Sequence, residues 1–226
     1  MKSPAALKQI FDDYIATNEF KQAPVALYEP INYIFSLGGK RLRPLLLLMG
    51  YNLFGERVEE ALPAAFAIEI FHNFSLLHDD IMDEAPLRRG KPSVHVKYNV
   101  NTGILSGDVM LIYAYQYLAR LSVLPRYAKI VELFNQLAID VCEGQQYDMN
   151  FEEEEQVALS AYLKMIELKT AALIGGALGM GAVIGGASEK DMEQLMQFGR
   201  NIGIAFQIQD DILDTFGDPE KFGKKV

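Results

Sequence analysis

A chain of 226 residues that is half hydrophobic and 23% charged can bury a sizeable core, so residues 1–226 read as one ordered domain and the disordered class is excluded. A net charge of −9 excludes nonspecific nucleic-acid binding, which needs a basic face to displace counterions. The only cysteine, Cys142, excludes an intrachain disulfide and a thiolate zinc site, and it suits a reducing, cytoplasmic setting.

The opening "MKSPAALKQIFDDYIATNEF" lacks the basic-then-apolar order of a secretory signal and carries acids that transit peptides avoid. Ala5, Ile10, Tyr14 and Ile15 suit an amphipathic first helix, and "PINYIFSL" predicts a second that stops at Gly38-Gly39. Pro44 then stands where a third can begin. "ALPAAFAIEIFHNFSLLHDDIMDEA" is too long for a strand and ends before Pro86, after which "APLRRGKPSVHVKYN" has the punctuation of a loop. Helical spacing resumes over 106–121, 126–147, 152–186 (broken at its glycines) and 190–214. No segment alternates for long, so the fold class is all-α. Charge is absent from Thr170 to Ser188, with GxxxG spacing at Gly175/Gly179 and Gly181/Gly185. Six glycines suit a lipid-facing span poorly, and the stretch reads as a core helix whose small residues admit close neighbours. The acidic run Glu152–Glu155 reads as a solvated helix start.

One feature recurs across the chain. Asp79-Asp80-x-x-Asp83 returns as Asp210-Asp211-x-x-Asp214, each time after an apolar helical stretch, "FSLLHDDIMD" and "AFQIQDDILD". Positions i and i+4 share a helix face, so Asp79 with Asp83, and Asp210 with Asp214, form carboxylate pairs that repel unless a cation lies between them. Oxygen-only ligands call for a hard ion, Mg2+ or else Mn2+ or Ca2+, and Mg2+ characteristically completes its shell with substrate phosphate and water. If both motifs face one cavity, they can grip a diphosphate from two sides. Basic residues that suit phosphate oxygens are at hand: Lys40, Arg41 and Arg43 in "GGKRLRP", Arg88 and Arg89, Lys169, Lys224 and Lys225. A diphosphate held among apolar helices suits a leaving group, with its developing charge stabilised and the carbocation it leaves behind kept from water.

"GGKRLRP", "HNFSLLHDDIMDEAPLRRGKP", "GQQYD", "LKT" and "FQIQDDILD…FGDPEKFGK", in this order, resemble the trans-type polyprenyl diphosphate synthases, the farnesyl and geranylgeranyl diphosphate synthase family, over residues 38–226. The resemblance implies an isoprenoid synthase helical bundle around a deep central cavity, in a homodimer, with no membrane span. It implies that isopentenyl diphosphate condenses head to tail with an allylic diphosphate (dimethylallyl, geranyl or farnesyl), with about three Mg2+ ions once diphosphate is bound. By the same resemblance Asp79, Asp83 and Asp210 bind Mg2+ directly, while Asp80, Asp211 and Asp214 complete the motifs directly or through water. Lys40, Arg43, His72 and Arg89 match positions that hold the isopentenyl diphosphate. Arg88, Lys169, Thr170, Gln207 and Lys224 match those that hold the allylic diphosphate, and Gln145 and Asp148 line the same cavity.

Product length in the family follows bulk just upstream of the first motif. Here that is Phe74 and Ser75, an aromatic followed by a small residue, which resembles the C20 producers more than the C15 ones. A helical wheel places Ser75 and Phe71 on the face of Asp79 and points Phe74 away, with Phe71 roughly 12 Å below Asp79 as a floor. Family members continue past the second motif for several helices, so the C-terminal helices are expected to be missing. Three rivals remain: a metal-dependent phosphohydrolase using His72 and the pair His78-Asp79, for which only His95 in a loop is left as a further histidine, a terpene cyclase, and a non-catalytic subunit of a prenyl synthase.

Overall fold

The computed structural model describes residues 1–216, apart from the side chain of Asp214. The helices in chain order are α1 (Pro4–Ala16), α2 (Val25–Ser36), α3 (Leu42–Asn52), α4 (Leu62–Met82), the single turn α5 (Val94–Lys97), α6 (Val100–Ala119), α7 (Tyr127–Phe151), α8 (Leu159–Ile166), α9 (Ala172–Gly185) and α10 (Glu189–Phe216). Local chemistry sets several ends. Ser3 accepts from the Ala6 amide at 3.3 Å to open α1, Asn99 accepts from the Thr102 amide at 2.8 Å to open α6, and Gly186 at φ 91° closes α9.

α9 is apolar all round and buried from Ala172 to Val183, as a helix packed on every side must be. It runs between α3, α7 and α10, while α4 packs along α6. Its contacts with α3 are backbone-close: a Cβ on Gly181 would stand 2.0 Å from the Leu47 carbonyl oxygen, and one on Gly50 would stand 2.5 Å from that of Leu178. The continuous helical stretch Leu159–Gly185 is long and apolar enough to cross a membrane, but 78% of its most apolar window is buried within the protein. Its apolarity is spent on the core, as the small-residue spacing predicts.

The structure departs from the sequence reading in four places. The helix expected from Glu152 starts only at Leu159, and residues 152–156 are exposed outside any helix, because four successive carboxylates repel and stay solvated. The break expected at the glycines falls earlier, as a π-helical turn at Glu167–Ala171, and α9 passes through its glycines unbroken. α6 begins at Val100 and not Ser106, and the loop after α4 contains a minimal antiparallel pair, Leu87–Arg88 with Lys91–Pro92, turned through Gly90 at φ 73°.

The α3–α9 contact yields a stability test. Gly181→Ala drives a methyl into a carbonyl that neither backbone can move cheaply, so chemical denaturation is expected to show a loss of about 3 kcal/mol, whereas Gly186→Asn, at an αL cap that asparagine tolerates, stays within about 1 kcal/mol of the parent.

Candidate active site

The last turn of α4 and the last two turns of α10 bring the two acidic motifs to one place. Asp79 and Asp210 both line a cavity of about 600 Å3, together with Arg43, His72, Arg88, Gln145, Lys169, Thr170 and Gln207. Phe71, Phe74 and Ser75 line its lower wall with Val141 and Leu173. Most of the residues singled out from the sequence therefore share a single space, although they come from α3, α4, α7, the π-helical turn and α10.

Asp79 lies between two cations, 3.6 Å from Arg88 Nη2 through Oδ2 and 3.4 Å from Lys169 Nζ through Oδ1. Its Oδ1 is buried yet accepts no hydrogen bond, since the Lys169 approach misses hydrogen-bond geometry. Partial burial, followed by the like charge of Asp79, raises the Asp83 carboxyl above its ordinary range. A carboxylate oxygen without a donor, beside a carboxyl pushed upward, is an environment short of positive charge, and it fits a divalent cation. Among the described residues no three His, Cys, Asp or Glu side chains converge to hold a metal alone.

The basic side of the cavity has the opposite deficit. Arg43 Nη1 lies 3.1 Å from His72 Nε2, and Arg43 Nε is buried without a partner. Burial lowers the Arg43 pKa to about 10, and burial together with Arg43, Arg89, Arg88 and Arg41 holds His72 well below 6.5. His72 is therefore neutral, with Nε2 accepting from Arg43. Arg89 donates to the Gly38 carbonyl, and Lys40 lies exposed with its ammonium 5.9 Å above the ring of Phe206, which also lines the cavity. Arg41 is the exception: it turns inward to pair with the buried Glu69 and donates to the Phe35 carbonyl at 2.9 Å. Its charge is spent on joining α2 and α4, and that of Arg43 remains for an anion.

The two lysine and arginine residues beside Asp79 are themselves held. Arg88 Nε donates to both oxygens of Asp80 at 3.0 and 3.1 Å, and its Nη2 donates to Oδ1. Asp80, at 1% exposure, is thus committed to Arg88 and does not line the cavity, where the resemblance made it a completing member of a metal motif. Lys169 Nζ donates to Asp148 at 2.5 Å. The π-helical turn brings Lys169 and Thr170 into the wall, and Gly144 of α7 makes room for it: a Cβ there would stand 2.2 Å from the Lys169 amide nitrogen.

The second motif divides. Asp210 faces the shared cavity, whereas Asp211 lines an adjoining one of about 650 Å3 with Tyr162, Phe151, Met165 and Asp148. Asp211 accepts from Tyr162 Oη at 2.5 Å and from Gln207 Nε2 at 2.8 Å, and Gln207 Oε1 accepts from Thr170 at 2.9 Å. Burial and the Asp211 carboxylate raise the Tyr162 pKa to about 12, which keeps it a donor. The Asp214 side chain and Lys224 lie outside the described residues. Tyr162 was missed in the sequence, and Gly144 was quoted there only as the first letter of "GQQYD", without a role: a tyrosine seven positions before Lys169 and a glycine inside a helix carry no signal of a partner far along the chain.

The wheel reading of Phe74 is corrected. It lines the cavity with Phe71 and Ser75, because the cavity wraps two sides of α4. The Phe71 and Phe74 rings are 5.6 Å apart, and Phe71 rests edge to face on Phe134 at 5.5 Å, closing the floor in aromatic rings.

Residues 24–226 match the polyprenyl synthetase family. The chain belongs to that family. Similar polyprenyl synthetases include the geranylgeranyl diphosphate synthase of Sulfolobus acidocaldarius, 45% identical over 203 residues, and that of Methanosarcina mazei, 43% identical over 202. These alignments cover 88% and 89% of this chain, and 62% of each relative. The chain thus spans less than two thirds of the length of these relatives. A crystal structure of a geranylgeranyl pyrophosphate synthase superposes on all of this chain and 69% of its own with a TM-score of 0.95 at 49% identity. The polyprenyl synthetase bundle accounts for the all-α architecture.

His72 supplies a pH test. Its folded-state pKa lies below its unfolded value, so its contribution to stability is complete above pH 6.5 and declines as pH falls beneath it. Histidine 15N shifts are expected to show a neutral His72 ring at pH 6.5, and added inorganic pyrophosphate is expected to raise its pKa. Urea unfolding from about pH 7 down to about pH 5 is expected to lose less stability in His72→Gln than in the parent.

Proposed function

We propose that this chain carries the catalytic centre of a prenyltransferase that condenses isopentenyl diphosphate with an allylic diphosphate, giving a short all-trans prenyl diphosphate, with C20 favoured and C15 next. The observation that carries this reading is the single cavity shared by Asp79 and Asp210, with cations above and an aromatic floor below. Asp79, Asp83 and Asp210 would hold Mg2+, and Asp214 would join them from outside the described side chains. Bound there, Mg2+ supplies charge stabilisation to a departing diphosphate.

Arg88 and Lys169, held in place by Asp80 and Asp148, bind the allylic diphosphate oxygens with Thr170 and Gln207, and Lys224 would add to them. Arg43, Arg89 and Lys40 bind the isopentenyl diphosphate, with the neutral His72 ring donating through its free nitrogen. The allylic C–O bond breaks with its electron pair leaving on the diphosphate, the isopentenyl double bond attacks the carbocation, and a proton passes to the departed diphosphate. Phe71, Phe74, Val141 and Leu173 keep water from that cation. The named geranylgeranyl diphosphate synthases among the relatives favour C20 over C15.

The phosphohydrolase reading loses support because the histidines do not converge: His72 meets Arg43, His78 meets the Ile104 carbonyl at 3.2 Å, and His95 meets Ser93 at 3.3 Å. A homodimer is supported by exposed apolar residues Leu105, Ile112 and Tyr115 on α6 and Ile139 on α7. A cytoplasmic setting is supported by the free thiol of Cys142.

The deciding experiment incubates the protein with Mg2+, labelled isopentenyl diphosphate and each allylic primer, then measures chain length. A C20 product supports the reading; inorganic phosphate alone would favour a hydrolase and a hydrocarbon a cyclase. Asp79→Ala is expected to lower turnover about a thousandfold with the fold retained, and Phe74→Ala to shift the product to longer chains; near-normal turnover in Asp79→Ala would overturn the assignment.

A further inference from the structure

Neighbouring residues on a helix point about 100° apart, so Asp210 and Asp211 cannot both face Asp79, and the rotation of α10 about its axis decides which one does. Upstream, α10 is pressed against the core by glycines: a Cβ on Gly199 would stand 2.7 Å from the Gly175 Cα, and one on Gly203 would stand 2.6 Å from the Ala171 Cα. Those contacts set how closely α10 approaches. Among the described residues beyond Gly203, the hydrogen bonds that tie α10 to its neighbours are Thr170 to Gln207 and Tyr162 to Asp211. The second is the more distal and is charge-assisted, a class roughly twice as strong as neutral bonds.

We propose that Tyr162 is a positioning residue: by donating to Asp211 it turns that carboxylate into the adjoining cavity, fixes the rotation of α10, and so presents Asp210 opposite Asp79. Asp211 then orients the motif and does not itself face the shared cavity, which agrees with its place beside Tyr162, Phe151 and Met165. The coupling runs further, because α8, which carries Tyr162, leads directly into the π-helical turn that carries Lys169, 3.4 Å from Asp79. One hydroxyl thus ties the element bearing the second motif to the element whose lysine touches the first. Gln207 holds the other oxygen of Asp211, so loss of the tyrosine hydroxyl frees one oxygen and lets the carboxylate swing about the remaining bond.

The inference rests on the proposed function, and its test reads binding and not turnover. Calorimetric titration of inorganic pyrophosphate, with and without Mg2+, is carried out on the parent, Tyr162→Phe and Asp79→Ala. Tyr162→Phe keeps the ring and its packing. It is expected to weaken the Mg2+-dependent affinity about tenfold, the size of effect that follows loss of outer partners that orient a metal site, while the Mg2+-free affinity and the melting temperature stay close to the parent. If parent binding depends on Mg2+ and on Asp79 but Tyr162→Phe matches the parent, the positioning role is overturned and the proposed function stands. If Tyr162→Phe weakens both affinities equally or only lowers the melting temperature, the tyrosine is structural and the inference also fails. If the parent shows no Mg2+-dependent binding, the functional reading falls and this inference falls with it.

Discussion

Asp79 carries a negative charge into a half-enclosed wall, and the surroundings neutralise it only in part. Arg88 and Lys169 approach it from two sides, yet each is bound more tightly elsewhere, to Asp80 and to Asp148. One carboxylate oxygen is left without a donor. Keeping that charge unsatisfied costs stability, because a buried polar atom without a partner forfeits its hydration. The rest of the fold supplies what makes it tolerable: a rigid helix beneath, cations locked at a distance, and a second carboxylate on α10 facing the same space.

Two turns back along α4, around His72, the arrangement returns with reversed sign. Arg43 has a buried nitrogen with no acceptor, and His72 is kept neutral by burial and by the arginines around it. The acid at Glu69, which could have neutralised the cluster, is taken up by Arg41. One wall short of positive charge and another short of negative charge is a preorganised environment for an anion that arrives with cations. Phe71 and Phe74 flank His72 on α4, and with Phe134 they give the cavity an apolar surface next to its ionic one.

Close backbone approaches put the charged groups where they are. Gly144 admits the π-helical turn against α7, and Gly50 and Gly181 let α3 and α9 touch. The turn itself inserts an extra residue into a helix that would otherwise run straight from α8 into α9, and so re-aims Lys169 and Thr170 into the cavity wall. Tyr162 and Gln207 then hold Asp211 out of the cavity that Asp210 enters.

Sequence alone determined the helical class, the paired acidic motifs, the basic residues that answer them and the family, because periodicity and a short motif are local properties written in neighbouring letters. It also identified the glycine-rich stretch as a core helix, since no charge interrupts it. Tertiary structure alone decided which aspartate of each motif faces the cavity, that Phe74 lines it as well as Phe71, that Arg41 is spent on Glu69, and that the helix takes a π-helical turn at Lys169 and does not break at the glycines. Each of these depends on how two helices distant in the chain are rotated against one another, and a difference of about 100° between adjacent residues is fixed by partners that no local pattern names.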